Sequence, residues 1–317
     1  MTPTRVKGDV ADTYVDLRPL LFSIAYRMLA SVSEAEDVVQ EAFVRYQRAL
    51  ANDTVVESPK AYLSAVVTRL AIDHLKSARL RRETYIGEWL PEPLVTDEGA
   101  GDPAANAEQA DTLSMSFLLL LEGLTPVERA VFLLHDVFGY GYDEVAALVD
   151  RNEANCRQLA LRARRHIESE KPRFDASRKE RDALVARFFA AVGDGDLEGL
   201  IEILATDVVV YGDGGGKAPQ WTAPIVGVER VARLLAGIGG QLHELGITIH
   251  PRRVNGQPGA VFLDRKGRLT NVWSLEVVDR SVQTVRSVIN PDKLQHLGPV
   301  ADVRVLQRMR RHGEEPA

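Results

Sequence analysis

The sequence predicts a multidomain chain in which two all-α domains, a helical bundle and a helix-turn-helix, are followed by an α+β domain. Apolar residues recur at helical spacing between residues 14 and 170. Short β-branched and aromatic runs separated by turn residues follow between residues 208 and 285. Pro, Gly and acidic residues interrupt the helical part at 87–111. Helices first and strands later are typical of separate domains of different classes.

The composition excludes several classes of protein. The 317 residues include 39 Lys and Arg, 45 Asp and Glu and 45% hydrophobic residues, with a net charge of −6. These are ordinary globular values, so disorder throughout and collagen-like repeats are excluded. A single cysteine, Cys156, excludes an internal disulfide framework and a cysteine zinc site. We expect no metal and no cofactor. The sequence has no signal-peptide pattern and no long apolar run, so we expect a cytoplasmic protein without a membrane partner.

The first helical domain, 1–86, is predicted to be a bundle of three or more helices. Two helices account for residues 14–50, and Ser33 with Glu36 has capping-box spacing at the start of the second. Pro59 suits the first turn of a long helix that runs to about Arg82. This helix carries a cluster of basic residues near its end, and a second cluster lies between Arg151 and Arg165. One cluster alone is typical of a solvated helix face, but two clusters on two amphipathic helices suggest two contacts with a polyanion.

The second helical domain, 112–172, contains a short helix, a tight turn and a longer basic helix. Thr125 has the spacing of a helix cap and predicts a helix over 126–137. Residues 142–149 and 153–170 form the next two helices, with Asn152 as the cap of the longer one. One side of helix 153–170 is a stripe of small residues, and the other side carries Arg157, Gln158, Arg162, Arg164 and Arg165. This plan is typical of a helix-turn-helix that places its second helix in the major groove.

The third domain, 173–300, is predicted to contain two or three helices and a four- or five-stranded antiparallel meander. The three glycines that follow Asp213 favour a sharp turn with close backbone approach. We expect a basic tail without regular structure at 301–317. The linker, 87–111, is acidic and contains no Lys or Arg, but it includes the apolar string WLPEPL at 89–94, which we expect to dock on another part of the chain.

Three stretches in this order resemble the extracytoplasmic-function sigma factors, the two-domain class of bacterial RNA polymerase specificity subunits. SEAEDVVQEAF at 33–43 is similar to the region-two helix that binds the polymerase clamp. PKAYL with LAIDHL, within 59–75, is similar to the helix that melts the minus-ten element. LTPVERAVFL with YDEVA, within 124–146, is similar to region four. The resemblance implies that 1–86 is sigma region two and that 112–172 is sigma region four.

Three shorter strings narrow the resemblance to the subgroup with a fused C-terminal SnoaL-like domain. They are WLPEPL in the linker, DGGGK at 213–217 and NPDKL at 290–294. The resemblance implies that the third domain is a cone of the nuclear-transport-factor-two-like fold, in which helices and a curved sheet surround a pocket. It also implies interdomain or regulatory roles for these strings. Their residues with such roles are Trp89, Leu90, Pro91, Asp213, Gly214, Gly215, Lys217, Asn290, Pro291, Asp292 and Lys293.

The resemblance and the chemistry of the residues together suggest how DNA and polymerase are bound. Arg157 and Gln158 would read guanine and adenine edges at the minus-thirty-five element, since each side chain can make paired hydrogen bonds to its base. Arg162, Arg164 and Arg165 would contact phosphates. The loop 52–58, which includes Asn52 and Asp53, would hold a flipped minus-ten base. The cations available to the DNA strand there are Arg69, Lys76 and Arg79. The residues that would face the polymerase are Asp37, Gln40 and Glu41.

The predicted function is therefore that of a sigma factor, not an enzyme, whose fused domain modulates promoter-directed transcription in place of an anti-sigma factor. Its partners would be core RNA polymerase, promoter DNA and a small-molecule ligand in the C-terminal pocket. One alternative is a ligand-responsive helix-turn-helix regulator that acts without polymerase. The other is an enzyme whose C-terminal pocket uses Asp213 and Tyr211, with Trp221, His250, Asn271 and Trp273 as further candidate lining residues.

Overall fold

The computed structural model describes residues 10–96, 111–170 and 178–312, without the side chains of 78–83, 169–170, 178–179 and 309–312. The chain divides into two compact units. The first contains residues 1–81 and 120–170, and the second contains residues 82–119 and 171–317. Within the described ranges, the helices of the first 170 residues are α1 (Val10–Leu29), α2 (Val32–Ala51), α3 (Pro59–Glu83), α4 (Met115–Leu121), α5 (Pro126–Phe132), α6 (Tyr142–Val149) and α7 (Glu153–Glu170).

Local signals start most of these helices where the sequence predicts. Pro59 is the first residue of α3, and Thr125 and Glu128 form the expected capping box at α5. Helix α2 corrects one prediction: its cap is Ser31, whose hydroxyl accepts from the Glu34 amide at 3.1 Å, so the helix begins before Ser33. Ser31 and Ser33 each have a glutamate three residues later, Glu34 and Glu36, so capping-box spacing alone does not distinguish the two candidate caps.

The helix predicted over 126–137 is confirmed in its bounds, but its last turn differs in type, because the α-helical part, α5, ends at Phe132. A π-helical turn, Leu133–Val137, follows it. The Phe138 amide donates to the Leu133 carbonyl at 2.9 Å, and the Tyr140 amide donates to the Leu134 carbonyl at 2.9 Å. These wider-spaced hydrogen bonds finish the helix and lead into Gly139, whose φ is +72°.

The first unit packs α1, α2 and α3 together with α5, α6 and α7. The Ser64 hydroxyl on α3 lies 3.0 Å from the Tyr140 hydroxyl in a buried contact. Arg129 on α5 is only 2% exposed and donates at 2.7 Å to the carbonyl of Met28, in the last turn of α1. A cation at a helix C-terminus satisfies carbonyls that have no partner inside the helix. Burial lowers the pKa of Arg129 to about 9.

The second unit contains a seven-stranded sheet in the order β1-β4-β5-β6-β7-β2-β3. Its strands are β1 (Val95–Thr96), β2 (Leu204–Asp213), β3 (Ile225–Val226), β4 (Thr248–Val254), β5 (Gln257–Leu263), β6 (Leu269–Val278) and β7 (Ser281–Val288). Its further helices are α8 (Arg178–Asp194), α9 (Leu197–Ile203), α10 (Val228–Leu245) and α11 (Val303–His312). Strands β4 to β7 form the predicted antiparallel meander, and β2 adds to it parallel to β7.

The two faces of this sheet have different coverings. On the inner face, Val210 and Trp273 belong to the main core with residues of α8, α9 and α10. On the opposite face, Tyr211 and Val272 pack with Leu90 and Met115 from the segment that joins the helical domains. Because successive strand residues point to opposite faces, neighbours such as Val210 and Tyr211 are separated. We call the second surface the linker face.

The predicted basic tail without regular structure is wrong for 303–312, which form α11. Val303 and Leu306 are 9% and 3% exposed, and Leu306 packs against Leu245 at the end of α10. Arg304 donates to the Gly216 carbonyl at 2.7 Å. The prediction was based on the many arginines of this segment and overlooked the apolar residues Val303 and Leu306, which are sufficient to pack one side of α11 against the domain.

Candidate nucleic-acid interface and linker anchor

Helix α7 presents one polar face to solvent and buries the other. Asn152 caps it, accepting from the Asn155 amide at 2.8 Å. The predicted stripe of small residues is buried, from Cys156 at 0% exposed to Ile167 at 5%. The exposed residues on the other side are Arg157, Gln158, Leu161, Arg162 and Arg165. They recur at steps of three and four, which places them on one helix face.

Two of the predicted DNA-contacting arginines on α7 have partners within the first unit. Arg157 is exposed, pairs with Glu153 at 2.8 Å and lies over the Tyr142 ring at 5.0 Å. Arg164 is less exposed and donates to Asp136 at 2.6 Å and to the Tyr142 hydroxyl at 3.2 Å. Its hydrogen bond to Asp136 is the main factor that raises the pKa of Arg164. Arg164 therefore connects α7 to the π-helical turn, while Arg157 remains on the solvent side.

The loop 52–58 follows α2 and is exposed over most of its length. Asn52 and Asp53 are exposed, and Asp53 has a left-handed φ of +55°. Val55 is 85% exposed, an unusual position for a β-branched apolar side chain. An apolar side chain presented beside polar ones is suited to contact a base removed from its stack.

The described cations of α3, Arg69 and Lys76, both have partners within the first unit. Arg69 donates to the carbonyls of Leu148 and Ala147 at 3.1 and 3.0 Å, at the C-terminal end of α6. Lys76 is exposed and pairs with Asp73 at 2.8 Å. The side chain of Arg79 lies outside the described residues. Arg69 in this structure therefore caps α6, and its role toward DNA stays a prediction.

The predicted polymerase-facing residues lie on the outer side of α2. Asp37 and Gln40 are exposed, and Glu41 pairs with Arg45 at 2.7 Å. The intervening Val38 is buried, at 1% exposed. The helix thus offers an acidic and amide-bearing face while its apolar side belongs to the bundle.

The predicted interdomain strings meet around Asp213, which is completely buried. Its carboxylate accepts from the Tyr85 hydroxyl at 2.5 Å, from the Leu90 amide at 2.9 Å and from Lys293 Nζ at 2.6 Å. Lys293 also donates to the Leu90 carbonyl and lies 4.4 Å from the centre of the Trp89 ring. We call these five residues the linker anchor.

The glycine turn after Asp213 brings its chain close to the NPDKL string. Gly215 has a φ of +55°, and a Cβ there would lie 2.2 Å from Asn290 Nδ2. That nitrogen donates to the Tyr85 hydroxyl at 2.9 Å. At the surface, Lys217 pairs with Asp292. In NPDKL, Pro291 begins a short 3-10 turn. In DGGGK, a Cβ on Gly214 would lie 2.6 Å from the Ala218 carbonyl oxygen, so the close packing of the turn requires glycine there.

Other linker contacts were not predicted. Asn255 accepts from the Leu94 amide and donates to the Leu113 carbonyl, both at 3.0 Å. Glu276, 7% exposed, accepts from Ser116 at 2.6 Å and from Arg286 at 2.9 Å. A signal for Glu276 was available, since a charged residue inside an apolar strand usually has a buried partner.

The Tyr85 phenol is strongly affected by its surroundings. Burial, together with the hydrogen bond to the Asp213 carboxylate and the charge of that group, raises the pKa of Tyr85 well above its ordinary value. A neutral hydroxyl can donate to a carboxylate, whereas a phenolate would repel it. The anchor therefore depends on a protonated Tyr85.

Asp213 and Tyr211 do not form the predicted pocket carboxylate site. Both project to the linker face, because they alternate with the inward Val208 and Val210 along β2. Trp221, Asn271 and Trp273 do line a cavity on the inner side, but Asp213, Tyr211 and His250 are absent from its lining. This arrangement removes the residues on which the enzyme alternative depended.

A basic helix-turn-helix with its recognition face exposed, joined to a helical bundle and an α+β cone, defines a DNA-binding protein with an attached accessory domain. The family Sigma-70 region 2 matches residues 13–81, Sigma-70 region 4 matches 114–167, and the SnoaL-like domain matches 185–291. No helix in the described ranges is long and apolar enough to cross a membrane.

Similar proteins agree over nearly the whole chain. The ECF RNA polymerase sigma factor SigJ of Mycobacterium tuberculosis is 37% identical over 286 residues, which are 87% of this chain and 90% of that protein. The probable ECF RNA polymerase sigma factor SigI of the same species is 31% identical, over 88% of this chain and 93% of that protein. The crystal structure of SigJ matches with a TM-score of 0.70 and 34% identity, over 90% of this chain and 98% of that chain.

The chain belongs to the extracytoplasmic-function RNA polymerase sigma factors with a fused C-terminal SnoaL-like domain. The predicted fold class and function are confirmed at this level. Sigma factors are transcription initiation factors rather than enzymes, so the alternatives of an enzyme and of a regulator without polymerase are both set aside.

Proposed function

We propose that this sigma factor directs core RNA polymerase to a small set of promoters through α7 and the loop 52–58. Arg157 and Gln158, near the N-terminal end of α7, read base edges, and Arg162 and Arg165 contact phosphates. The exposed polar face of α7 is the observation that supports this assignment. Arg164 is left out of the DNA contacts because its Nε and Nη2 already bind Asp136 and Tyr142, which hold the side chain against the π-helical turn.

Region two supplies the other contacts. The exposed loop 52–58 holds the minus-ten base, with Lys76 near the strand backbone, and the outer face of α2 at Asp37, Gln40 and Glu41 binds the polymerase. Arg69 reaches DNA only after it leaves the carbonyls of α6. Arg69 therefore serves either the contact between α3 and α6 or the DNA strand. The protein acts in the cytoplasm, where core polymerase and promoter DNA are found.

The C-terminal domain regulates this activity in place of a separate anti-sigma factor. The linker anchor carries the proposal: Asp213 and Lys293 hold the residues that directly follow α3 with a buried ion pair and backbone hydrogen bonds. The same linker leads on to region four, so the anchor holds the segment that joins the two DNA-binding domains in sequence. A small molecule bound in the cavity of the C-terminal domain is the proposed signal.

Run-off transcription with purified core polymerase tests the proposal. We expect the full-length chain to co-elute with core polymerase and to yield a specific transcript from genomic fragments, beginning with the region upstream of its own gene. Asp213→Asn should change the transcript yield, whereas Arg233→Met, at an exposed ion pair of the same unit, should leave it unchanged. Absence of both co-elution and transcript would overturn the promoter assignment, and equal yields from Asp213→Asn and the native chain would overturn the regulatory one.

A further inference from the structure

A cavity of about 330 Å³ opens on the inner side of the C-terminal sheet. Its walls come from α10, α11 and the sheet, with Leu234, Ile238 and Leu242 facing Phe262 and Trp273. Pockets for small molecules in proteins span roughly 300–1000 Å³. The cavity therefore has the volume to take a compact organic ligand.

The residues that line this cavity include no Asp, Glu, His, Lys, Arg, Tyr or Cys, within the part of the chain that the structure describes. A charged ligand would enter a largely apolar space without a counter-charge, at a large cost in free energy. The cavity also holds no group that could act as a general acid or base. Its chemistry favours the binding of an uncharged molecule over its conversion.

The polar side chains that line the cavity are those of Gln220, Trp221, Gln241, Thr270, Asn271, Trp273, Ser287 and Gln307. Thr270 donates to the Phe262 carbonyl at 3.2 Å. Ser287 is bonded to Gln220 and to Asn271, both at 3.0 Å, so these three side chains satisfy one another. The indole nitrogens of Trp221 and Trp273 are buried and have no hydrogen-bond partner among the described residues. Trp273 is 1% exposed, so water outside the fold does not reach it. An indole N–H only donates, so what these two positions lack is an acceptor.

We propose that the cavity binds an uncharged, mainly apolar small molecule whose carbonyl or ether oxygens accept the hydrogen bonds that the indole N–H groups of Trp221 and Trp273 lack. The inference rests on the proposed function only in taking this cavity as the binding site of the signal molecule. It adds the chemical class of that molecule. Two donors on apolar walls select an oxygen-bearing ligand over a hydrocarbon of the same shape, because a hydrocarbon leaves the donors unpaired.

The test uses three fluorescent probes of similar shape on the full-length chain: the neutral ketone prodan, its analogue with a propyl group in place of the propionyl group, and an analogue with a carboxylate in that place. We expect prodan to bind about tenfold more tightly than either analogue. Equal binding of the carboxylate analogue, or no binding of prodan, would overturn the proposal.

Variants locate the binding. Ile238→Trp fills the cavity and should reduce prodan affinity by about tenfold or more. Arg230→Trp, at an exposed position on the same helix, should leave the affinity unchanged. Trp221→Phe and Trp273→Phe keep a ring but lose the donor, and should weaken prodan more than the analogue without the carbonyl. Unchanged prodan binding in Ile238→Trp would overturn the site.

Measurements without polymerase separate this inference from the proposed function. If prodan binds as expected but the chain directs no transcript, the cavity assignment stands and the promoter assignment fails. If a transcript is made but prodan does not bind, the reverse holds. Circular dichroism of each variant confirms that its fold is retained, and the donor variants provide the test should Ile238→Trp not fold.

Discussion

The carboxylate of Asp213 and the ammonium of Lys293 lie 2.6 Å apart, although 80 residues separate them in the sequence. Both are buried, and between them they satisfy both backbone groups of one linker residue, Leu90: its amide donates to Asp213 and its carbonyl accepts from Lys293. The linker is therefore held by directional bonds as well as apolar packing. Such bonds fix the position of one particular residue, which apolar contact alone does not.

Removing one member of this buried pair should destabilise the second unit strongly. Lys293→Met leaves the Asp213 carboxylate buried without its cation, which typically costs about 3–5 kcal/mol of unfolding free energy. Urea unfolding followed by tryptophan fluorescence measures the loss, because Trp221 and Trp273 both lie in this unit.

The control for this prediction is the neighbouring pair between Lys217 and Asp292, whose side chains are 58% and 50% exposed. Lys217→Met should change the unfolding free energy by less than about 1 kcal/mol, because water already solvates both charges. Equal losses in Lys293→Met and Lys217→Met would contradict the assigned role of the buried pair.

Alkaline pH should weaken the linker anchor through Tyr85. The pKa of Tyr85 in the fold is raised above its ordinary 10.0, so its contribution to stability is complete below about pH 10 and is lost as the pH rises further. Unfolding midpoints of the native chain and of Tyr85→Phe, measured between about pH 8 and pH 11, test this. The difference in unfolding midpoint between the native chain and Tyr85→Phe should become smaller toward pH 11. A difference that stays constant over this range would contradict the role assigned to the Tyr85 hydroxyl.

Gly215→Ala should cost more stability than Gly267→Ala. Both glycines have a positive φ, +55° and +72°, so both substitutions carry the conformational cost of about 1–2 kcal/mol. Only at Gly215 would the new Cβ meet Asn290, at 2.2 Å, and displace it from Tyr85. Thermal unfolding of the two variants measures this additional loss of stability in Gly215→Ala. Equal losses of stability in the two variants would contradict the role assigned to the contact with Asn290.

Substitutions on α7 should separate base reading from phosphate contact. Arg157→Ala and Gln158→Ala should each lose about 1–3 kcal/mol of discrimination between the native promoter and one altered at a single base pair. Arg165→Ala should weaken all promoters alike and reduce the salt dependence of binding by about one phosphate contact. Binding of polymerase with each variant to both DNAs over a salt series provides the measurement. If Arg157→Ala weakens binding to both DNAs equally, Arg157 contacts DNA phosphates and does not read a base.

Local features of the fold were predictable because neighbouring residues determine them. Thr125 and Asn152 cap their helices as their spacing indicates, and Cys156 lies on the buried stripe of α7 as periodicity requires. The exception is the start of α2, where Ser31 and Ser33 both suit a cap. The choice between them depends on backbone angles that no short pattern contains.

Contacts between distant residues were predicted only in part. The three short strings were expected to have interdomain roles, and the structure joins them at Asp213, but their pairing depends on which face of β2 carries that residue. Strand alternation from the buried Val208 and Val210 would have placed Asp213 away from the inner cavity. Partners such as Asn255 come from elements whose positions follow from the whole sheet order, so local pattern does not contain them.

The position of Lys293 near the end of the chain has a consequence for synthesis. A ribosome makes region two and region four first, and Asp213 and Lys293 follow only after both DNA-binding modules have left it. A newly made chain therefore passes through an interval in which both DNA-binding modules exist and the linker anchor has not yet formed. Under the proposed function, a premature stop before residue 293 removes the partner of Asp213 and yields a factor that lacks this regulation.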